Sequence, residues 1–171
     1  MWRLIAWIVS RPVVADWLIK RAMKTPYTHI QHPEGVYMER YWLFNPYPPA
    51  SSGKDNRFPI SIRIHHICLP DKARDLHDHP WNARTIILKG GYREQRLEKC
   101  KLCPESAGHV NQYVRKPGDT AKINFGEYHS IISLAEGGAW TLFITGKYRG
   151  TWGFLVNGVK VQWRKYTGYQ S

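Results

Sequence analysis

The chain opens on a helical period and then abandons it. Between Trp2 and Lys24 apolar residues recur three and four apart: Trp2, Ile5, Ile8 and Val9 form one stripe, and Val13, Val14, Trp17, Leu18 and Met23 a second. Arg11, Lys20, Arg21 and Lys24 are left for water. Ser10 stands where it can cap a segment with Pro12 in its first turn, so the spacing predicts one helix or two short ones. Packing of this helical segment on the body of the protein is the plain expectation. Contact with a membrane surface through residues 1–24 is the alternative, because Trp among basic residues is the composition such helices use.

After Thr25-Pro26 the period shortens to two. Strands are predicted at 37–44, 60–69, 85–98, 110–115, 120–125, 129–134, 140–145, 152–156 and 159–166, separated by Gly, Pro, Asn and Ser. Nine short strands point to an all-β sandwich or barrel. The Pro- and Ser-rich stretch 45–57 reads as an exposed loop over one end of it. The division expected is a helical extension over 1–26 and a β domain over 27–171, a length that suits one domain.

Composition narrows the class. With 43% apolar and 13% aromatic residues the chain can bury a core, which excludes disordered and collagen-like readings. Twenty-five Lys and Arg against 13 Asp and Glu leave a formal charge of +12, which draws anions without naming one. Three cysteines, Cys68, Cys100 and Cys103, make no secreted disulfide framework, so a reducing, cytoplasmic compartment is expected. The opening MWRLIAWIVSRPVVAD imitates a secretory leader, but Arg11 and Pro12 end its apolar run after Val9. No stretch reaches the roughly 18 apolar residues of a membrane-spanning helix.

Chemistry concentrates in DKARDLHDHPWNARTIILKGG, residues 71–91. On an extended strand residues i and i+2 share a face, so His77 and His79 offer two imidazoles to one ion while Asp78 points away. His129, just after a turn that Gly126 permits, can supply a third. Three neutral nitrogens leave positions of a divalent ion open, as Fe(II) needs for substrate and O₂ or Zn²⁺ for activating water.

These residues resemble the cupin superfamily, whose motifs read G-x5-H-x-H-x3,4-E-x6-G and G-x5-P-x-G-x2-H-x3-N. His77, His79 and Gly91 fall in register on the first, and Gly118, Gly126 and His129 on the second. Asp71 replaces the opening glycine, Asn124 and Ser133 stand at the proline and asparagine positions, and Arg84 occupies the glutamate position. The resemblance implies an all-β double-stranded β-helix, a jelly-roll barrel, carrying the helical extension.

An arginine cannot be a metal ligand, so the site is expected to be three-histidine. That resembles the cysteine and thiol dioxygenase branch and implies Fe(II), with Zn, Ni or Mn as other ions. It further implies a small anionic substrate together with O₂, Arg84 as the catalytic residue anchoring the anion, and a homodimer. The crosslinking cysteine of that branch falls on Arg84, which separates this chain from thiol oxidation. Arg84 can instead pair with Glu94, Asp78 or Glu127 and leave the centre free. Fold does not fix reaction. A non-oxidative sugar isomerase or epimerase, with His65 or Tyr92 as acid or base, and a non-catalytic binding cupin therefore stay open.

Weaker signals complete the reading. In ISIRIHHICL only one of His65 and His66 can face the interior, and His66 shares the phase of the isoleucines. Cys100-x2-Cys103 with His109 has zinc-knuckle spacing but lacks a fourth ligand. Aromatic and basic residues interleave near the C-terminus, yet form no consistent basic face, so nucleic acid is a minority reading. Trp81, Tyr92, Trp140 and Trp152 are assigned to the core by default.

Overall fold

The computed structural model describes residues 1–46, 58–71, 75–98 and 108–168. The loop expected at 45–57 and the Cys100/Cys103 pair lie largely or wholly outside these. Two helices, α1 (Trp2–Val9) and α2 (Pro12–Ala22), precede the strands β1 (Pro26–His32), β2 (Gly35–Phe44), β3 (Ser61–Ile67), β4 (Trp81–Glu98), β5 (His109–Arg115), β6 (Thr120–Ile123), β7 (His129–Tyr148), β8 (Gly153–Val156) and β9 (Val159–Gln162), and a short α3 (Trp163–Thr167) follows. A seven-stranded antiparallel sheet has the order β1-β2-β3-β7-β4-β5, with β6 also paired to β4, and β8-β9 is a separate hairpin.

Several boundaries differ from the sequence expectation. Strand β1 was not foreseen, and it pairs along β2 with two register irregularities that blur the period-two signal. Trp163–Thr167 turns helical where a strand was expected to continue. Ser10 ends α1 instead of starting α2: its backbone N–H donates to Ala6 O and its hydroxyl to Trp7 O, while Arg11 precedes Pro12 without a side-chain cap.

The two predicted strands 129–134 and 140–145 are one 20-residue strand, because Gly137-Gly138 makes a bend and not a turn. Gly138, at φ +78°, lies where an added Cβ would meet Ile67 O at 2.3 Å. Beside it on β4 is Gly90, paired with Ala139 and at φ +66°, whose added Cβ would meet Gly138 O at 1.9 Å. The two long strands therefore bend together at a point where only glycine fits. Register shifts flank Gly90 and exchange the faces of β4. Before the bend Thr85 faces the cavity, while Ile86 and Leu88 pack beneath the helices; after it Tyr92 faces the cavity.

Both faces of the sheet are covered. Ile64, Ile86, Leu88 and Leu142 pack against Ala6, Ala15, Ile19 and Ala22 of the helices. The inner face carries Ile67, Ile87, Tyr92 and Ile131, with Ala83, Ile123 and Phe143 alongside.

Gly90→Ala is expected to destabilise by more than about 3 kcal/mol, since a backbone clash adds to the left-handed strain. Gly137→Ala, at φ +75° with nothing within 4 Å, should cost only about 1–2 kcal/mol. Urea unfolding of the two variants checks the difference.

Candidate metal centre

The segment bearing His77 and His79 is held from both sides by backbone pairing. His77 N–H donates to His129 O at 3.0 Å and His129 N–H returns to His77 O at 2.9 Å. On the other side Asp78 N–H donates to Gly153 O at 3.0 Å, and Leu155 N–H to Leu76 O at 2.8 Å. Extended backbone between these neighbours puts the side chains of 77 and 79 on one face and Asp78 on the other.

Asp78, fully buried, accepts from Gly153 N–H at 2.7 Å and from the Lys160 ammonium at 2.5 Å. It fastens the β8-β9 hairpin to the barrel. Trp152 and Phe154 are thereby brought beside His77, with ring centroids at 6.2 and 6.0 Å.

One nitrogen from each of His77, His79 and His129 lies within 4.8 Å of the others, and the Nε2 atoms of His79 and His129 are 2.8 Å apart. The His129 Nδ1 is 2.9 Å from Glu94 Oε1. An ionised carboxylate only accepts, so His129 donates from Nδ1 and turns its Nε2 toward the cluster. Glu94, 1% exposed, also accepts from Arg96 Nε and Arg115 Nε, each at 2.9 Å. Burial pushes this carboxyl up, but the hydrogen bond from His129 and the nearby positive charges outweigh it and hold the pKa at about 2. On the other flank the Asp71 carboxylate, which accepts from Tyr37 OH and from Ile131 N–H at 2.7 Å, lies 3.8 Å from His77 Nδ1.

Burial keeps two of the imidazoles neutral. It pushes His77 down to about 4, with Asp71 opposing, and His79 well below its ordinary range, with the neighbouring histidines adding to the effect. Neutral nitrogens, a closely spaced donor set and carboxylates behind the rings are what a divalent transition ion requires, so the residues present fit such an ion.

Arg84 does not share this site. It precedes the bend on the phase that faces the helices, donates to Thr120 Oγ1 at 3.1 Å and lies 4.6 Å from the Trp2 ring centroid. The anchoring role expected of it is corrected by strand phase, and it bonds to none of Glu94, Asp78 or Glu127. Cavity-facing cations come instead from Arg63, 5% exposed, and Arg40.

The polar phase of β3 lines the interior, so His65 faces the cavity, with its ring 5.0 Å from Phe143 and Tyr27 OH at 3.4 Å from its Nε2. His66 faces the other way. It stacks on Trp140 at 4.1 Å and pairs with Glu39 at 2.9 Å, with Cys68 Sγ at 3.5 Å. Of the four aromatics assigned to the core, Trp81, Tyr92 and Trp152 line the cavity and Trp140 does not. The C-terminal aromatics close it: Trp163 stacks on Trp152 and Tyr166 on Phe154.

The cavity measures about 630 Å³, within the range of small-molecule sites. Glu94, Asp71 and Arg63 were not identified from sequence as parts of the site. The signals available were a carboxylate four residues after Gly90 and a charged residue two before His65, each legible only once strand phase is known.

No protein-family model matches the chain, and no curated protein matches it. Solved structures do. An oxalate oxidase in complex with glycolate superposes with TM-score 0.53 at 16% identity, covering 78% of this chain and 61% of its own. A cupin-2 domain protein from Rhodospirillum rubrum gives 0.51 at 14%, over 76% and 74%. An oxalate decarboxylase variant from Bacillus subtilis gives 0.52 at 15%, over 87% and 33%. The fold is that of the cupins. The chain spans less than two thirds of the oxalate oxidase and a third of the decarboxylase.

Two outcomes follow from this electrostatic arrangement. In chelator-treated protein, unfolded histidines protonate near 6.5 whereas folded His77 does so only at about 4; stability should therefore fall as pH drops from about 6.5 toward 4. Melting temperatures unchanged between pH 7.5 and 5 would contradict it. Asp78→Ala should lose about 2–4 kcal/mol by releasing the hairpin and stranding the Gly153 N–H, measured by chemical unfolding.

Proposed function

We propose that this chain is a metal-dependent cupin that oxidises a small anionic molecule, with His77, His79 and His129 as ligands of Fe(II). The carrying observation is the convergence of three imidazoles, one of them oriented through its other nitrogen by buried Glu94. Fe(II) at such a site supplies the redox chemistry for reaction of a bound substrate with O₂.

The chain's own residues perform the remaining tasks. Glu94 fixes the tautomer and tilt of His129 while Arg96 and Arg115 hold Glu94 in place. Trp81, Phe143, Trp152 and Phe154 exclude water around the apolar part of a substrate. Arg63 and Arg40 take the place proposed for Arg84, providing positive charge at the cavity wall for a carboxylate or similar anion. That two of the superposable structures are named for oxalate chemistry, one of them holding glycolate, agrees with a small anionic substrate.

The position of His65 favours a second reading. Burial, aided by the positive charges of Arg63 and Arg40, holds this cavity histidine well below its ordinary range. A neutral imidazole facing a substrate can take a proton, as a non-oxidative isomerase or epimerase needs. Tyr92, raised by burial and Glu94, keeps its proton.

Elemental analysis of protein purified without added metal should show a bound transition ion that His79→Ala lacks, and Glu94→Gln should weaken metal affinity by about 10- to 100-fold. Anaerobically iron-loaded protein should consume O₂ when given small carboxylates. Equal metal content in wild type and His79→Ala would remove the ligand assignment, and substrate turnover without O₂ would move the assignment to the isomerase.

A further inference from the structure

The helices that cover the sheet display much of their apolar bulk outward. Their fully buried residues are Ala6, Ala15 and Ala22, joined by Ile19 at 7% exposure. Several large apolar side chains point the other way, while Ile5, Val9 and Leu18 pack against the core: Leu4 is 62% exposed, Trp7 54%, Val13 82% and Trp17 63%. Of the stripe Val13, Val14, Trp17, Leu18 and Met23, expected to pack on the body, Leu18 does so while Val13, Trp17 and Met23 lie on the outer surface. Helical spacing explains the arrangement. Leu4, Trp7 and Ile8 recur three and four apart on one face of α1, with Arg11 just beyond it, while Val13, Trp17, Lys20 and Arg21 do so along α2, with Lys24 just past its end. Both helices pack through their alanine faces on the same side of the sheet, so both outer faces point away from the barrel.

Charge identifies what such a face meets. Residues 1–24 hold five cations, Arg3, Arg11, Lys20, Arg21 and Lys24, against a single acid, Asp16, which is tied to Lys89. The Arg11 guanidinium lies 3.8 Å from the Trp7 ring centroid, placing a cation directly against an exposed indole. Indoles beside cations suit the boundary between acyl chains and anionic headgroups, where the ring finds an apolar side and the charge a phosphate. With 8 and 11 residues, α1 and α2 are too short to cross a bilayer, and no described helix is long and apolar enough to do so. An in-plane position is the one their length allows.

We infer that α1 and α2 form a docking face for an anionic lipid surface, in which Leu4, Trp7, Val13 and Trp17 enter the headgroup boundary while Arg3, Arg11, Lys20, Arg21 and Lys24 bind lipid phosphates. The sheet then lies between the membrane-facing helices and the cavity lining, so the barrel sits against the bilayer without surrendering its inner face. This second activity is independent of which ion or substrate the cavity takes.

Vesicle flotation of the full chain tests the assignment. Protein should float with vesicles of phosphatidylcholine and phosphatidylglycerol in equal parts, stay behind with phosphatidylcholine alone, and be released by high salt. Binding should weaken by about tenfold or more in Trp7→Ser/Trp17→Ser, and likewise in Lys20→Glu/Arg21→Glu/Lys24→Glu. All five side chains are exposed, so the variants should keep the wild-type circular dichroism and metal content. Failure of the wild type to float with the anionic vesicles overturns the proposal. So does equal flotation with both vesicle types, or flotation unchanged in both variants. A wild-type dimer that becomes monomeric in the Trp variant, with no vesicle binding by either, would overturn it in favour of a second copy as the occupant.

Discussion

A steric constraint between two backbones organises the structure. Gly90 of β4 and Gly138 of β7 approach so closely that a methyl group on the first would overlap the carbonyl oxygen of the second. The long strands can bend there, and the bend has two consequences. It curls the sheet so that the segment before β4 approaches the beginning of β7, which brings His79 to His129. It also exchanges the faces of β4, so that Arg84 lies under the helices while Glu94, on the far side of the bend, points into the site. One local irregularity thus supplies the closure and removes the arginine from the centre.

Electrostatics then follow from placement. Glu94 is a buried charge, and such a charge is tolerated only when its hydrogen-bonding capacity and its field are both answered. Arg96 and Arg115 answer the field, and His129 occupies the remaining direction. A histidine turned in this way presents Nε2 where His79 presents its own, and burial keeps the His79 and His77 rings from protonating at neutral pH. The cation expected at the glutamate position of the motif would have repelled an ion. On the opposite strand phase it stacks on Trp2 instead and helps fasten α1 to the barrel.

The outer layer obeys a different rule. Alanines, with Ile5, Val9, Leu18 and Ile19 beside them, seat α1 and α2 on the sheet, while Leu4, Trp7, Val13 and Trp17 are displayed outward together with the charge. The sheet beneath is therefore covered on both faces, which explains why the isoleucine phase of β3 packs under the helices and its arginine and histidine phase lines the cavity.

Much of this was legible in residue order alone. Histidines two apart share a face of any extended strand, and motif spacing placed His129 with them, so the fold class and the three imidazoles could be read without coordinates. Period-two alternation located most strands, although it missed β1, whose pairing is irregular, and broke β7 at glycines that bend it. Alternation specifies which residues share a face, but not which face looks inward. A strand covered on both sides gives no polar-out signal, and a bulge reverses phase without altering composition. Glu94, Arg63, the displacement of Arg84 and the outward turn of Trp7 and Trp17 were therefore decided by tertiary structure, through the contact of two bent strands and the close seating of three alanines.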